Sequence, residues 1–123
     1  MTHAAINLHH QTGDLDPSDR LHGMINLHGD RTGIRMHVNG YRTSWGASIT
    51  AADAINLARA LTAGETVATA NLGMGRAIVN KGFRNGVAIL TMNSEAVAMH
   101  TEMSTSDLQD LARTLSALVE LDH

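Results

Sequence analysis

The chain has 123 residues, of which 43% are hydrophobic and 17% charged, and its formal net charge is −3. This length and composition indicate one globular domain with its own core and exclude a disordered chain. The absence of cysteine excludes disulfides, zinc–thiolate sites and thiol catalysis, and it suits a cytoplasmic protein. No apolar run reaches the roughly 18 residues of a membrane span, and the N-terminus has no signal-peptide pattern, so no membrane partner is expected.

Residues 1–21 are expected to form an N-terminal leader outside the folded domain. The stretch from Thr12 to Asp19 is rich in turn-forming residues and contains Pro17, the only proline, so no regular element should cross it. A short extended segment around residues 6–8 is expected to precede this stretch.

The first repeat spans residues 22–64 and begins with strands. Met24–His28 alternates in polarity, and residues 34–39 alternate apolar and polar side chains, which is the period of a strand with one buried face. Asn39-Gly40 favours a type I′ hairpin, because both residues tolerate the positive φ that this turn needs. The returning strand is predicted from Arg42 to Ile49.

A helix is predicted directly after these strands. Thr50 and Asp53 have the spacing of a capping box, although aspartate takes the place of the usual glutamate or glutamine. An apolar stripe with helical spacing follows, and Gly64 is expected to end the helix. The stripe consists of Ala54, Leu57, Ala58 and Leu61.

The second repeat, residues 76–121, follows the same plan. Its helix segment Ser104–Ala117 aligns without a gap on Thr50–Ala63, and six of these fourteen positions are identical. The predicted apolar stripe of the second helix consists of Leu108, Leu111, Ala112, Leu115 and Leu118. The predicted strands are Ala77–Asn80, Val87–Asn93 and Glu95–Met103, the last with Val97, Met99, Thr101 and Met103 facing inward, and Glu65–Leu72 is expected to add a strand between the copies.

This repetition predicts an α+β fold of internally duplicated ββ(β)α units, with an antiparallel sheet and two helices packed on one face. Each copy alone would bury its apolar face poorly, so the two are expected to share one core. Methionine occurs seven times, against one Trp, one Tyr and one Phe, and it is expected to fill part of that core. The methionines expected to face inward are Met36, Met92, Met99 and Met103.

The side chains that could carry chemistry form no catalytic or metal-binding motif. The eight histidines match no established metal-ligand spacing, and His28, His37 and His100 align with other residue types in the opposite copy. The acids lie mostly in the leader, at helix starts and near the C-terminus, where capping and solubility account for them. Gly73-Met74-Gly75 lacks the rest of a nucleotide-binding fingerprint. We therefore expect a non-enzymatic protein without a cofactor or metal.

A basic middle section raises the alternative of nucleic-acid binding. Residues 31–94 hold seven basic and two acidic side chains, whereas both ends of the chain are acidic. The twofold arrangement of strands and helices resembles the Whirly and coactivator-type single-strand binders, whose sheets are also backed by helices. The scarcity of aromatic residues and the negative net charge weigh against this alternative. Its candidate contact residues are Arg35, Tyr41, Arg42, Lys81, Phe83 and Arg84.

A second resemblance lies in the hairpin followed by [Ser/Thr]-x-x-Asp-x-x-x-Leu-Ala-Arg-x-Leu, found at Thr50–Leu61 and again at Ser104–Leu115. This pattern resembles short uncharacterised actinobacterial and actinobacteriophage proteins. The resemblance implies a small accessory protein of a phage or mobile element that modulates a host protein by binding it, and this is the first functional hypothesis. Its candidate contacts are Arg59 and Arg113, roughly opposite the apolar stripes. A homodimer would cover the apolar end of the second helix at residues 118–121.

Overall fold

The structure, a computed structural model, describes residues 2–8, 23–40, 43–84, 87–94 and 97–122. Within these ranges the order of elements is four strands and a helix, repeated once. The first repeat contains β1 (Thr2–Leu8), β2 (Gly23–Asp30), β3 (Gly33–Gly40), β4 (Thr43–Ile49) and α1 (Ala51–Thr62). The second contains β5 (Val67–Leu72), β6 (Gly75–Arg84), β7 (Val87–Asn93), β8 (Ala98–Ser104) and α2 (Thr105–Asp122).

The predicted α+β fold with duplicated units is confirmed, but the strands form two sheets instead of one. Sheet A has the order β1-β2-β3-β4 and sheet B the order β5-β6-β7-β8, and every neighbouring pair is antiparallel. Each sheet is thus a meander of consecutive strands, in which every connection except that between β1 and β2 is short. The strand expected between the copies is β5, and it opens sheet B.

The expected leader begins with a strand of the domain itself. β1 pairs along its whole length with β2, from Thr2 opposite Gly29 to Leu8 opposite Gly23. Ile6 and Leu8 are buried, because they lie on the same face of sheet A as the buried residues of β2. Residues 2–8 therefore belong to the first repeat. The rest of the expected leader, residues 9–21, lies outside the described residues.

The two sheets and both helices share one hydrophobic core, as predicted. Met36, Met92 and Met103 are fully buried in it, and Met99 is partly buried against it. The expectation that Val97 faces inward is wrong, since its side chain is 52% exposed. Val97 lies just before β8, which begins at Ala98, and its carbonyl accepts the backbone N–H of Ser94 at 2.9 Å.

The predicted type I′ turn at Asn39-Gly40 is wrong, because both residues belong to β3. β3 continues through Gly40, which pairs with Thr43, and the hydroxyl of Ser44 donates to the side-chain oxygen of Asn39 at 2.9 Å. Asn39 and Gly40 are therefore the last residues of the strand. Tyr41 and Arg42, which follow the strand, lie outside the described residues.

Both helices begin as predicted. The hydroxyl of Thr50 accepts the backbone N–H of Asp53 at 3.1 Å, and the hydroxyl of Ser104 accepts that of Asp107 at 3.1 Å. These bonds satisfy N–H groups that have no partner within the first turn of a helix. All residues of the two predicted stripes are buried.

The end of α1 differs from the expectation of a left-handed glycine cap at Gly64. Ala63 leaves the helix with φ −58° and ψ 144°, and among the described glycines only Gly33 and Gly75 have positive φ. The ammonium group of Lys81, on β6, instead donates to the carbonyl oxygen of Ala63. A cation is favourable at this helix end, because the unpaired carbonyls carry partial negative charge.

Among the strands, each helix contacts most extensively the first strand of the other repeat. α1 lies on β5 and α2 lies on β1, while α1 and α2 contact each other and β4 contacts β8. Small side chains on β5, namely the buried Ala68 and Ala70, permit the close approach of α1. Since each helix covers strands of the opposite repeat, the core closes only when both repeats are present.

Candidate functional site

The side of sheet A that faces away from the core carries an unusual set of polar side chains, and we call this side the outer face. Strict alternation creates it, because Ile25 and Leu27 on β2, like Ile34, Met36 and Val38 on β3, are buried. The residues between them are exposed or half-buried. The outer face consists of His3, Ala5, Met24, Asn26, His28, Asp30, Arg35, His37, Asn39, Ser44, Gly46 and Ser48.

A line of polar side chains crosses the outer face from one edge of sheet A to the other. In the strand register, His3 lies opposite His28, His28 opposite Arg35, and Arg35 opposite Ser48. The rings of His3 and His28 have centroids 4.5 Å apart and are tilted by 39°. Three steps between neighbouring strands span about 14 Å. We call these four residues the cross-strand row.

A shallow depression lies beside the cross-strand row. It has a volume of about 390 Å³ and is lined by Asn26, His28, Arg35, Met36 and His37. His37 lies opposite Gly46, and a Cβ atom at Gly46 would be 3.1 Å from Nδ1 of His37. Gly46 therefore leaves room for the imidazole ring of His37. The depression is open to solvent and presents amide, imidazole and guanidinium groups.

Asp30 is the only acid among the described residues of the outer face, and it lies at the rim. Its carboxylate accepts the hydroxyl of Thr32 at 2.5 Å and the backbone N–H groups of Thr32 and Gly33 at 2.8 and 3.2 Å. These bonds, led by that of the Thr32 hydroxyl, hold the pKa of Asp30 below its usual value. The carboxylate is thus engaged by the turn, while Arg35 is exposed on the sheet.

The outer side of sheet B does not repeat the cross-strand row. The positions that match Arg35 and Ser48 hold Ile89 and Glu102, so a cation and a hydroxyl are replaced by an apolar and an acidic side chain. His100 occupies the position of Gly46, and its Nδ1 is 2.8 Å from the hydroxyl of Thr91. Among the described residues, the duplicated backbone therefore presents this row of imidazole, guanidinium and hydroxyl groups on sheet A only.

The structure separates the residues that the sequence proposed for nucleic-acid contact. Arg35 lies in the cross-strand row, whereas Lys81 is half-buried and caps α1. Phe83 and Arg84 are the last two residues of β6. Tyr41 and Arg42 fall outside the described residues. His3, His28 and His37 are not among the binding residues proposed from the sequence, because only the pairing of β1 with β2 and of β2 with β3 brings them together.

Arg59 and Arg113 lie together at a groove between α1 and α2. The groove has a volume of about 470 Å³, and Ala58 and Ala112 contribute buried apolar surface to it. The guanidinium group of Arg113 is paired with Asp110 one turn earlier, and both side chains are largely exposed. The remaining lining residues are Ile55, Thr62, Ser116, Ala117 and Glu120.

The apolar end of α2 divides between the core and the surface. Leu118 is buried in the core and Val119 packs partly against it, whereas Leu121 is 71% exposed. Neither α1 nor α2, the helices of the described ranges, has the length and hydropathy needed to cross a membrane. In the same part of the chain, no three His, Asp or Glu side chains are grouped so that they could hold a metal ion.

The functional proposal for this protein depends on the geometry of its surfaces. No protein-family model matches the chain, and no curated protein matches it.

Proposed function

We propose that this protein binds single-stranded nucleic acid across the outer face of sheet A. The observation that carries the proposal is the cross-strand row of His3, His28, Arg35 and Ser48, with His37 beside it. An exposed guanidinium group suits a phosphate because it donates in a planar fork. Proteins that recognise single-stranded nucleic acid commonly stack the exposed bases on imidazole rings and on the planes of guanidinium groups.

The shape of the outer face supports a single strand over a duplex. Both helices of the described ranges pack on the core side of the sheets, so this face presents no helix that would enter a major groove. An open sheet face with imidazole and guanidinium side chains instead suits bases that are already unstacked. The doubled sheet-and-helix plan, which resembles the Whirly and coactivator-type single-strand binders, agrees with this proposal at the level of fold alone.

Replacing Arg35 by alanine is expected to weaken binding of a labelled oligonucleotide of about 20 nucleotides, measured by fluorescence anisotropy. The loss of one phosphate contact should reduce the slope of log K against log salt by about 0.7. Arg76→Ala is the matched control, since Arg76 is an exposed arginine on the outer side of sheet B. Lys81 is unsuited to this test, because its replacement also removes a helix cap.

Two results would contradict this proposal. The first is the absence of any binding at about 50 mM salt, where phosphate-driven affinity is strong. The second is an equal loss of affinity in Arg35→Ala and Arg76→Ala, because a general effect of charge would then explain the data without the outer face.

Protein binding at the groove between α1 and α2 is a second candidate function. It is favoured by the convergence of Arg59 and Arg113, which occupy equivalent positions of the two repeats, on one groove with apolar surface from Ala58 and Ala112. Such a groove suits a partner segment that presents carboxylates beside small apolar side chains. The accessory role for a phage or mobile element, implied by the resemblance of the helix pattern, stays a prediction.

The double substitution Arg59→Glu/Arg113→Glu is expected to abolish retention of a partner that immobilised wild-type protein captures from lysate, because it reverses the charge of the groove. Arg76→Glu, on sheet B, is the control and should retain that partner. Sedimentation velocity of the same variants distinguishes a second copy of the chain from a different protein. A partner that both variants retain equally would contradict binding at this groove.

A further inference from the structure

We infer that protonation of the three imidazoles on the outer face of sheet A controls its affinity for nucleic acid, so that binding strengthens as the pH falls. This inference rests on the proposed function and concerns the regulation of the same site. Its basis is the placement of His3, His28 and His37 around Arg35, the one permanent cation among the described residues of this sheet face.

The charged and titratable groups of the outer face can be named strand by strand. β1 contributes His3, β2 contributes His28 and Asp30, and β3 contributes Arg35 and His37. The described outward residues of β4 are Ser44, Gly46 and Ser48, which carry no charge. Arg31 lies in the turn beyond the rim. When the imidazoles are neutral, the positive charge of Arg35 and the negative charge of Asp30 cancel. When all three imidazoles are protonated, the face carries a large net positive charge.

Histidine is the side chain whose ordinary titration, near pH 6.5, falls in the physiological range. The phosphodiester groups of a nucleic acid keep their negative charge throughout this range. Each imidazolium beside a phosphate adds a charge-assisted contact that the neutral ring does not supply. By linkage, a polyanion that favours the protonated rings also takes up protons when it binds, so its affinity rises as the pH falls.

The closeness of His3 and His28 lets one anion contact both rings. Their centroids are 4.5 Å apart, so a single phosphate placed against the pair would meet two imidazole groups at once. Arg35, opposite His28 in the register, supplies the third donor to the same row. The row therefore places three nitrogen-bearing side chains side by side along one line of the sheet.

The test measures binding of an oligothymidylate of about 20 nucleotides at about pH 5.5 and about pH 8, each over a range of salt. Thymine carries no group that titrates between these values, so the protein alone responds. The affinity is expected to rise by roughly tenfold or more at the lower pH. The salt slope should steepen from about −0.7, for Arg35 alone, towards about −2.8, for four phosphate contacts.

Two variants assign the effect to particular rings. His3→Gln/His28→Gln is expected to lose most of the pH dependence and to keep a shallow salt slope at both pH values. His100→Gln, on the outer side of sheet B, should keep the full dependence of the wild type. Far-UV circular dichroism and the emission of Trp45, the only tryptophan, confirm that each variant is folded at both pH values.

The outcomes separate this inference from the function on which it rests. Binding with the same affinity and salt slope at both pH values would overturn the inference and leave the proposed function in place. Absence of binding at both pH values in low salt would overturn both. A pH effect that survives in His3→Gln/His28→Gln, or disappears in His100→Gln, would overturn the assignment to the outer face of sheet A.

Discussion

Replacing Gly75 by alanine is expected to lower the free energy of unfolding by about 2–3 kcal/mol or more. Gly75 opens β6 directly after the tight turn at Gly73 and Met74, and its φ of 152° is one that side-chain-bearing residues rarely adopt. A Cβ atom there would also press on the backbone carbonyl of Asn93, 2.9 Å from its carbon atom and closer to its oxygen. The strain and the clash act together, because relieving either one moves β6 relative to β7.

Gly33 occupies a comparable position in sheet A and is expected to behave in the same way. It opens β3 after a tight turn with φ 149°, and a Cβ atom would lie against the carbonyl of Ile49, 3.1 Å from its carbon atom. Gly64→Ala is the matched control, since Gly64 has no atom within 4 Å of an added Cβ and has no positive φ. That control should change stability little or raise it by less than about 1 kcal/mol.

Urea denaturation followed by circular dichroism measures all three glycine variants. The m-values should stay unchanged, so that shifts of the midpoint report stability directly. If Gly75→Ala and Gly33→Ala were as stable as Gly64→Ala, the close approach of strand starts to the neighbouring carbonyls would be contradicted.

Thr101→Val is the second substitution with a large expected effect, a loss of about 1–3 kcal/mol. The indole N–H of Trp45 donates to the hydroxyl of Thr101 at 2.9 Å, and these residues are only 6% and 2% exposed. Valine nearly matches threonine in shape but has no acceptor, so the N–H would remain buried without a partner.

This hydrogen bond also joins the two repeats, because Trp45 lies on β4 and Thr101 on β8. The duplication does not repeat it, since Met99 and Ala47 stand at the equivalent positions. Thr101→Ser is the control that keeps the hydroxyl and removes one methyl group, at a cost of about 1 kcal/mol. The emission of Trp45 reports the same contact during denaturation. Equal stability of Thr101→Val and the wild type would show that the bond contributes nothing.

Local patterns in the sequence were sufficient for several elements. The strand at Val87–Asn93 was predicted at both ends, and the two helix starts were predicted from Thr50 and Ser104. These features depend on side chains within a few residues of one another, through alternation in strands and through capping in helices. The repeat was visible for the same reason, since equivalent local patterns recur in equivalent order.

These local patterns did not predict the contacts between segments that are distant in the sequence. β1 has only two buried apolar anchors, Ile6 and Leu8, and its partner β2 begins after a long intervening segment rich in turn formers. The replacement of a glycine cap by Lys81 likewise needed β6 to lie beside the end of α1. The sequence of a single strand or helix does not determine which distant segment will pair with its backbone or cap its end.

The sequence by itself determined the alternation of the strands, the capped amphipathic helices and their duplication, because each of these depends on neighbours along the chain. Only the tertiary structure decided that the strands form two sheets, that each helix covers the opposite repeat, and that His3, His28 and Arg35 share one row. Those three residues come from three strands, and a shift of one residue in either pairing would turn part of the row into the core. Register, which is set by burial of the opposite face, is therefore what brings the candidate site together.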